Sequence, residues 1–290
     1  MSSHSDAGAE SGTKAVHAPA PGDLQRTESW RRLLTGEDPV LRVLRRHWRR
    51  VPSAPRCKVC AAPFAGAGGV LTRLINHGKS RASPLLCNAC FAHLRSQVGG
   101  AEVEVSVLFT DVRGSTGLAE RTSTASFRAL IQDFYVIAAR AVDRHDGYID
   151  KFLGDGVMAL FIPFLAGENH AGRAVDAAVD VLDMARRPDL VAGGVQIGVG
   201  VHTGSAFVGV VGAGDKLDFT ALGDTVNVAA RLGSLAGRGE LVVSRSAWER
   251  AGRGAGPEIR TVDVSGRSAP LDVVVVRPPS SEVASVGVER

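Results

Sequence analysis

The stretch VEVSVLFTDVRGST, residues 103–116, ends a strand-like run with an aspartate and a turn of small residues. Apolar side chains alternate along it as on a half-buried strand, up to Asp111. A carboxylate at this position can hold a cation, and free backbone N–H groups of Gly114, Ser115 and Thr116 can face phosphate oxygens. The combination suits a metal-bound polyphosphate.

A second aspartate, Asp155, lies in GYIDKFLGDGVMALFIP, residues 147–163. Two apolar runs flank Gly154, Asp155 and Gly156, and Asp-Gly between such runs predicts a tight β-hairpin. Asp is a common turn residue, so Asp155 alone carries little information. Asp111 can likewise be explained as a turn residue or a helix N-cap. The two aspartates gain significance as a pair.

All four cysteines occur as two Cys-x-x-Cys pairs separated by 26 residues: Cys57, Cys60, Cys87 and Cys90. Two such turns can complete a tetrahedron of thiolates, which predicts one structural Zn²⁺. An iron–sulfur cluster is the minor alternative, and four ordinary reduced cysteines are the other. No cysteine lies in the second part of the chain, which excludes a cysteine nucleophile there.

Together with GDTVNVAAR, residues 223–231, the two aspartate stretches resemble the class III nucleotidyl cyclase catalytic domain, and specifically an adenylate cyclase. The three motifs have the family's order and spacing over roughly residues 102–277. The resemblance implies an α+β fold with a ferredoxin-like βαββαβ core. It also implies conversion of ATP to 3′,5′-cyclic AMP and pyrophosphate with two Mg²⁺ or Mn²⁺ per site. A guanylate or dual-specificity cyclase, or a catalytically silent nucleotide-binding scaffold, is the alternative.

The resemblance assigns roles around the phosphates. Asp111 and Asp155 hold the two cations, and the backbone carbonyl of Val112 resembles the third protein ligand. Asn227 orients the ribose, and Arg231 stabilises the charge that develops on the α-phosphate.

The resemblance also assigns the purine end. Lys151 can donate to adenine N1, where guanylate cyclases commonly carry Glu, so it favours ATP. Thr220 replaces the family's second purine-reading Asp, and its hydroxyl can still accept from the adenine amino group. Arg267 is expected to bind the triphosphate, or is simply a surface-loop arginine.

The family places its sites between two subunits, which predicts a homodimer with two shared sites. One subunit supplies the aspartates, and the other supplies Lys151, Thr220, Asn227 and Arg231.

The elements expected around these residues alternate between strands and helices. Strands are predicted at 103–110, 217–222, 240–243, 259–264 and 271–276, hairpins at 147–162 and 195–211, and helices at 122–145, 168–187, 224–236 and 245–250. The second hairpin is expected to turn at Thr203 and Gly204. Apolar residues around Arg231 predict a buried helix, in which an arginine requires an anion.

The net charge of +4 conceals an asymmetry, because residues 1–100 carry 15 Lys/Arg against 6 Asp/Glu. We expect disorder over 1–29, a basic amphipathic helix within 30–50, a zinc module and linker over 51–100, the catalytic domain over 101–278 and a tail over 279–290. Glycines between the cysteine pairs suggest loops and a small hairpin. No run of about 18 apolar residues and no apolar leader core is present, so a cytoplasmic protein is expected.

The basic helix has two interpretations. Leu41, Leu44 and Trp48 form an apolar stripe with arginines around it, and the favoured interpretation is that this stripe packs on the next module. The other is contact with an anionic surface, either lipid or nucleic acid, or with another protein. Binding of nucleic acid by the zinc module and this helix is compatible with cyclase activity.

Overall fold

The computed structural model describes residues 21–81, 86–96, 98–214, 216–264 and 269–277. Residues 1–20, the whole predicted C-terminal tail over 279–290 and Arg267 therefore lie outside the described residues. Among the described residues, no helix combines the length and the apolar character that a membrane span requires.

Helices and strands alternate after an N-terminal part whose regular elements are all helices within the described residues. The helices are α1 Pro21–Thr35, α2 Pro39–Trp48, α3 Gly66–Leu74, α4 Asn88–Ser96, α5 Ser115–Arg121, α6 Thr124–Arg144, α7 Pro163–Ala166, α8 His170–Met184, α9 Pro188–Ala192, α10 Asp224–Leu235 and α11 Arg245–Arg250. The strands are β1 Gly99–Val112, β2 Tyr148–Leu153, β3 Gly156–Phe161, β4 Ile197–Ala213, β5 Lys216–Leu222, β6 Leu241–Ser244, β7 Ile259–Val262 and β8 Leu271–Val276.

The strands form one sheet in the order β2-β3-β1-β4-β6-β8-β7, and β5 pairs with the second half of β4. The sub-order β2-β3-β1-β4, with α6 and α8 as the intervening helices, is that of a βαββαβ unit. The predicted ferredoxin-like α+β fold is thus confirmed. Its two central strands, β1 and β4, run antiparallel from Gly99 opposite Val210 to Val112 opposite Ile197.

The predicted hairpin over 195–211 is wrong, because β4 continues without a turn through Thr203 and Gly204. Gly204 is needed for close approach and not for a turn. A Cβ there would lie 2.8 Å from the Thr225 hydroxyl oxygen, and that hydroxyl donates to the Ser205 carbonyl. The glycine therefore allows the start of α10 to pack against the strand.

The two faces of the sheet are covered by different parts of the chain. Helices α6 and α8 cover one face, with Phe134, Ile137 and Val181 fully or almost fully buried against it. Helix α10 and the N-terminal module, residues 21–98, cover the other face. The module and the sheet share one apolar core there, in which the Trp30 ring stacks on Phe219 of β5 at a centroid distance of 6.4 Å.

The N-terminal module differs in part from the sequence-based expectation. Helix α1 begins at Pro21, inside the segment expected to be disordered. Helix α2 begins at Pro39 after Asp38, whose side chain caps it by accepting from the Leu41 N–H at 2.8 Å. Its stripe packs inward, as the favoured interpretation held, and Trp48 is buried.

Gly66, Gly68 and Gly69 lie in a helix, α3, and not in the expected loop, whereas an antiparallel bridge between Lys79 and Cys87 agrees with the expected small hairpin. Gly68 and Gly69 lie on the inner face of α3, where a Cβ would approach Pro63 Cγ to 2.8 Å and the Phe64 carbonyl carbon to 2.6 Å. These glycines allow a close contact between the helix and the preceding segment, which composition alone cannot distinguish from loop glycines.

Candidate active site

The two predicted metal-binding aspartates lie at adjoining strand ends. Asp111 is near the end of β1, directly opposite Gly156 of β3, and Asp155 precedes Gly156 in the hairpin turn. The Val112 N–H donates to the Asp155 carbonyl at 3.0 Å, which ties the turn to the end of β1. Gly154 has a φ of +67°, a conformation that the turn requires and that glycine adopts without strain.

The arginine that follows this strand, Arg113, contacts the Asp111 carboxylate as an ion pair. Its guanidinium also donates to the Ser234 carbonyl at the end of α10, at 2.9 Å. Burial lowers the pKa of Arg113, while the negative charge of Asp155 raises it. Asp111 Oδ1 is buried, and it is the oxygen that the Arg113 guanidinium contacts. The donor set, two carboxylates at adjoining strand ends, suits a hard divalent cation.

The predicted phosphate-binding turn begins a short helix that the sequence did not reveal. Gly114, with a φ of +69°, is the N-cap of α5, so the N–H groups of Ser115 and Thr116 belong to its first turn and have no intrahelical acceptor. A groove of about 690 Å³ lies beside them, lined by both residues and by Gly154 and Asp155. This volume is within the range of small-molecule sites.

One tyrosine, Tyr135 of α6, closes this groove from the helix side. Its hydroxyl donates to the Gly154 carbonyl, and its ring packs on Phe152 at a centroid distance of 4.4 Å. Burial raises the pKa of Tyr135, and the charge of Asp155 raises it further. The phenol therefore stays protonated and supports the hairpin turn as a donor.

The two predicted purine-reading residues, Lys151 of β2 and Thr220 of β5, are brought to one cluster. Lys151 Nζ lies 3.3 Å from Asp218 Oδ2 and 3.6 Å from Asp150 Oδ2. The Thr220 hydroxyl donates to Asp150 Oδ2 at 2.8 Å. Two strands that are far apart in sequence thus share a polar cluster of two carboxylates, one ammonium group and one hydroxyl.

Asp150 is the member of this cluster that sequence reasoning missed. Adjacent residues of a regular strand point to opposite faces, so Asp150 and Lys151 would not be expected together. The register of β2 against β3 shifts between Ile149 and Lys151, as at a β-bulge, which redirects these side chains. Burial raises the pKa of Asp150 to about 6. The signal available in the sequence was an acidic residue in the strand, directly before Lys151.

The predicted catalytic pair, Asn227 and Arg231, lies on the outer side of α10. Val228 and Leu232 face the sheet, whereas Asn227 is exposed and Arg231 half-buried, so the expectation of a buried arginine is wrong. The two side chains share a face because they are four residues apart. Neither has a hydrogen bond or ion pair with the described residues, which leaves both available to a ligand.

The predicted residues therefore fall into three groups: the aspartates with the Gly114–Thr116 turn, the Lys151–Thr220 cluster, and the Asn227–Arg231 pair. Within the described ranges, no hydrogen bond or ion pair joins the side chains of one group to those of another.

The four cysteines form one compact cluster in the N-terminal module. All are buried, and their sulfurs lie within 4.8 Å of one another, with Cys60 and Cys87 sulfurs 3.7 Å apart. A tetrahedral ion with metal–sulfur bonds of about 2.3 Å places sulfurs about 3.8 Å apart. His77 Nδ1 lies 3.3 Å from the Cys87 sulfur and 3.6 Å from that of Cys60. Hydrogen bonds from Cys57 lower the pKa of the Cys87 thiol. The cluster can hold one metal ion.

Comparisons with known proteins agree with this geometry. A family model for the adenylate and guanylate cyclase catalytic domain matches residues 100–264. Adenylate cyclase 1 of Rhizobium meliloti is 36% identical over 138 residues, which are 44% of this chain and 20% of that protein. The chain spans less than a third of the length of the curated relatives it matches.

Two solved structures share the fold. The guanylyl cyclase Cya2 is 26% identical with a TM-score of 0.59, covering 64% of this chain and 98% of that one. The adenylyl cyclase CyaB from P. aeruginosa is 28% identical with a TM-score of 0.54, covering 62% and 96%. Since the family match spans more than half of the residues and includes all three groups of site residues, the chain belongs to the adenylate and guanylate cyclase catalytic domain family.

Proposed function

We propose that this protein is an adenylate cyclase, which converts ATP to 3′,5′-cyclic AMP and pyrophosphate at sites shared between two copies of the chain. The observation that carries the proposal is the pairing of Asp111 and Asp155 at adjoining strand ends, beside a groove of nucleotide size. Two Mg²⁺ or Mn²⁺, when bound, would lower the pKa of the ribose 3′-hydroxyl and neutralise the leaving pyrophosphate.

The chain's own residues supply binding and orientation. Asp111 and Asp155, with the Val112 carbonyl, would hold the cations, and Gly114, Ser115 and Thr116 would contact phosphate oxygens through backbone N–H groups. Asn227 would hold the ribose, so that its 3′-oxygen is in line with the α-phosphorus. Arg231 would offset the charge that builds on the α-phosphate. Arg267, outside the described residues, is the proposed contact to the triphosphate.

ATP is the proposed substrate because of Lys151 and Thr220. An ammonium group donates to adenine N1, which is an acceptor, whereas guanine carries a proton on N1. The similarity to Cya2, a guanylyl cyclase, makes GTP the second candidate.

Products formed from ATP and from GTP, measured side by side with Mn²⁺, distinguish these two functions. The variant Asp155→Ala should be inactive with either nucleotide. If this variant is as active as the wild type at saturating Mn²⁺, the two-metal role is excluded. A wild-type protein that binds nucleotide but is inactive would indicate a silent scaffold.

The shared-site arrangement is supported by exposed apolar side chains near each group of site residues. Phe152 and Leu153 at the hairpin tip, Leu222 after Thr220 and Leu235 at the end of α10 are each 44–50% exposed. A two-fold dimer that buries them would bring the three groups together.

Mixing Asp155→Ala with Arg231→Ala chains tests this assembly. Each variant alone should be nearly inactive, whereas about a quarter of wild-type activity should return after subunit exchange, because half of the dimers then hold one intact site. Absence of recovery despite demonstrated exchange would place the sites within single chains.

The N-terminal module has two proposed roles. Its cysteine cluster would hold one structural Zn²⁺, as the sulfur spacing supports. Helix α2 would contact an anionic partner, because Arg42, Arg46, Arg49 and Arg50 are exposed and residues 39–101 contain no Asp or Glu. Salt-dependent binding of the full chain to DNA, RNA or anionic vesicles tests the second role.

A further inference from the structure

Asp150 is a buried acid that the proposed reaction does not use directly. Its side chain has no solvent exposure, and its Oδ2 accepts from the Thr220 hydroxyl at 2.8 Å. The same hydroxyl lies 3.5 Å from the Ala221 carbonyl, too far to compete for the proton. Asp150 Oδ1 is buried and has no hydrogen-bond partner among the described residues. Burial of this carboxylate with one oxygen unpaired therefore lowers the stability of the folded protein.

This hydrogen bond fixes the direction of the Thr220 hydroxyl. A hydroxyl has one proton to donate and lone pairs with which to accept. An ionised carboxylate can only accept, so the proton of Thr220 must point at Asp150. The Thr220 hydroxyl oxygen can therefore only accept a hydrogen bond from a ligand.

An acceptor at this position distinguishes the two purines. Position 6 of adenine carries an amino group, which donates, whereas position 6 of guanine carries a carbonyl oxygen, which accepts. We propose that Asp150 is a positioning residue for nucleotide selectivity: it holds the Thr220 hydroxyl as an acceptor, which favours adenine and disfavours guanine. This inference rests on the proposed function, because it concerns the purine end of the same site.

The charges around Asp150 are compatible with this role. Lys151 faces it from β2, Asp218 faces it from β5, and Tyr148 lies nearby. The pKa of Asp150, raised to about 6 by burial, leaves the carboxyl ionised at pH 7.5. Below that pKa the protonated carboxyl can itself donate, and the Thr220 hydroxyl is free to turn outward.

The test is the ratio of kcat/KM for ATP to that for GTP, measured at pH 7.5. We expect Asp150→Asn to lower the ratio about tenfold, because the new amide can donate to Thr220 and release its proton toward guanine. Thr220→Val should lower the ratio similarly, and Thr220→Ser should keep it. The double variant D150N/T220V should equal T220V, since Asp150 acts through the hydroxyl.

A matched control separates orientation from charge. Asp218→Asn removes a carboxylate 3.3 Å from Lys151 Nζ but leaves the bond from Thr220 to Asp150 intact. Its ratio should stay within about twofold of wild type, well inside the effect of one hydrogen bond. Equal falls in D150N and D218N would show that the effect runs through Lys151, and the inference would be wrong.

Two further readouts keep the test decisive. The wild-type ratio should fall between pH 7.5 and pH 5.5, and that of D150N should not. If D150N fails to fold, the T220V and T220S pair and the wild-type pH profile still decide the matter, and an unchanged ratio in T220V would overturn the inference. A wild type that cyclises neither nucleotide would refute the proposed function instead.

Discussion

Replacing Asp150 with asparagine should stabilise the folded protein at neutral and alkaline pH. Burial raises the pKa of this carboxyl from 3.8 to about 6. Each pH unit corresponds to about 1.4 kcal/mol, so ionised Asp150 costs the folded state about 3 kcal/mol relative to the unfolded chain. Asparagine removes the charge and keeps a hydrogen bond with the Thr220 hydroxyl, to which its amide can donate.

The sign of the pH dependence follows from the direction of the shift. Below pH 3.8 the carboxyl is protonated in both states and costs nothing. Between about pH 4 and 6 the folded state binds more protons than the unfolded state, so its stability falls as the pH rises. Above that range the penalty is complete. The advantage of D150N should therefore grow from near zero at pH 4 to at most about 3 kcal/mol at pH 7.5.

Urea unfolding of wild type and D150N, followed by tryptophan fluorescence at several pH values, measures this difference. Asp218→Asn is the matched control, because Asp218 is 59% exposed and should show no comparable pH-dependent gain. A D150N protein that is no more stable at pH 7.5 than at pH 4.5, relative to wild type, would refute the reasoning. It would mean that the charge is already fully compensated in the folded state.

Three further predictions concern other parts of the molecule. Arg113→Met should raise the affinity for Mn²⁺ about tenfold in direct titrations without nucleotide, because the positive charge of Arg113 near Asp111 and Asp155 opposes the binding of a metal cation there. R113K keeps this charge and should not raise the affinity. Elemental analysis of protein prepared without chelator should find one zinc per chain, lost in Cys87→Ser; absence of metal with four titratable thiols would contradict this. Gly204→Ala should destabilise the fold by about 1–3 kcal/mol in denaturant unfolding, because its Cβ would meet Thr225, whereas Gly254→Ala, in open space, should be nearly neutral.

Local patterns in the sequence predicted the parts of the fold that depend on local chemistry. Alternation identified the strand that carries Asp111, Asp-Gly identified the hairpin that carries Asp155, and Asp38-Pro39 marked the start of α2. Family motifs supplied the remaining candidate site residues, and in the structure two of them, Lys151 and Thr220, belong to one polar cluster.

What the sequence could not supply depends on contacts between distant segments. The bulge at Ile149 that exposes Asp150 to Thr220 has no local signature, and neither does the ion pair of Arg113 with Asp111. Gly204 was taken as a turn because glycine serves both turns and close contacts. Helix α1 was missed because, among its residues 23–35, only Trp30 and Leu34 are buried, too few to reveal a periodic pattern.

The family match begins at residue 100, but the apolar core extends across this position, because the N-terminal module and the sheet share it. Val103, Val105 and Val107 of β1 are buried in that core, so a chain trimmed to the catalytic domain would lose the module's share of the cover over these valines. Such a trimmed chain is a poor reagent for measuring the cyclase, since it invites aggregation. The same contact places the module behind the cluster of Lys151 and Thr220, because Trp30 stacks on Phe219 of β5, the strand that carries Thr220.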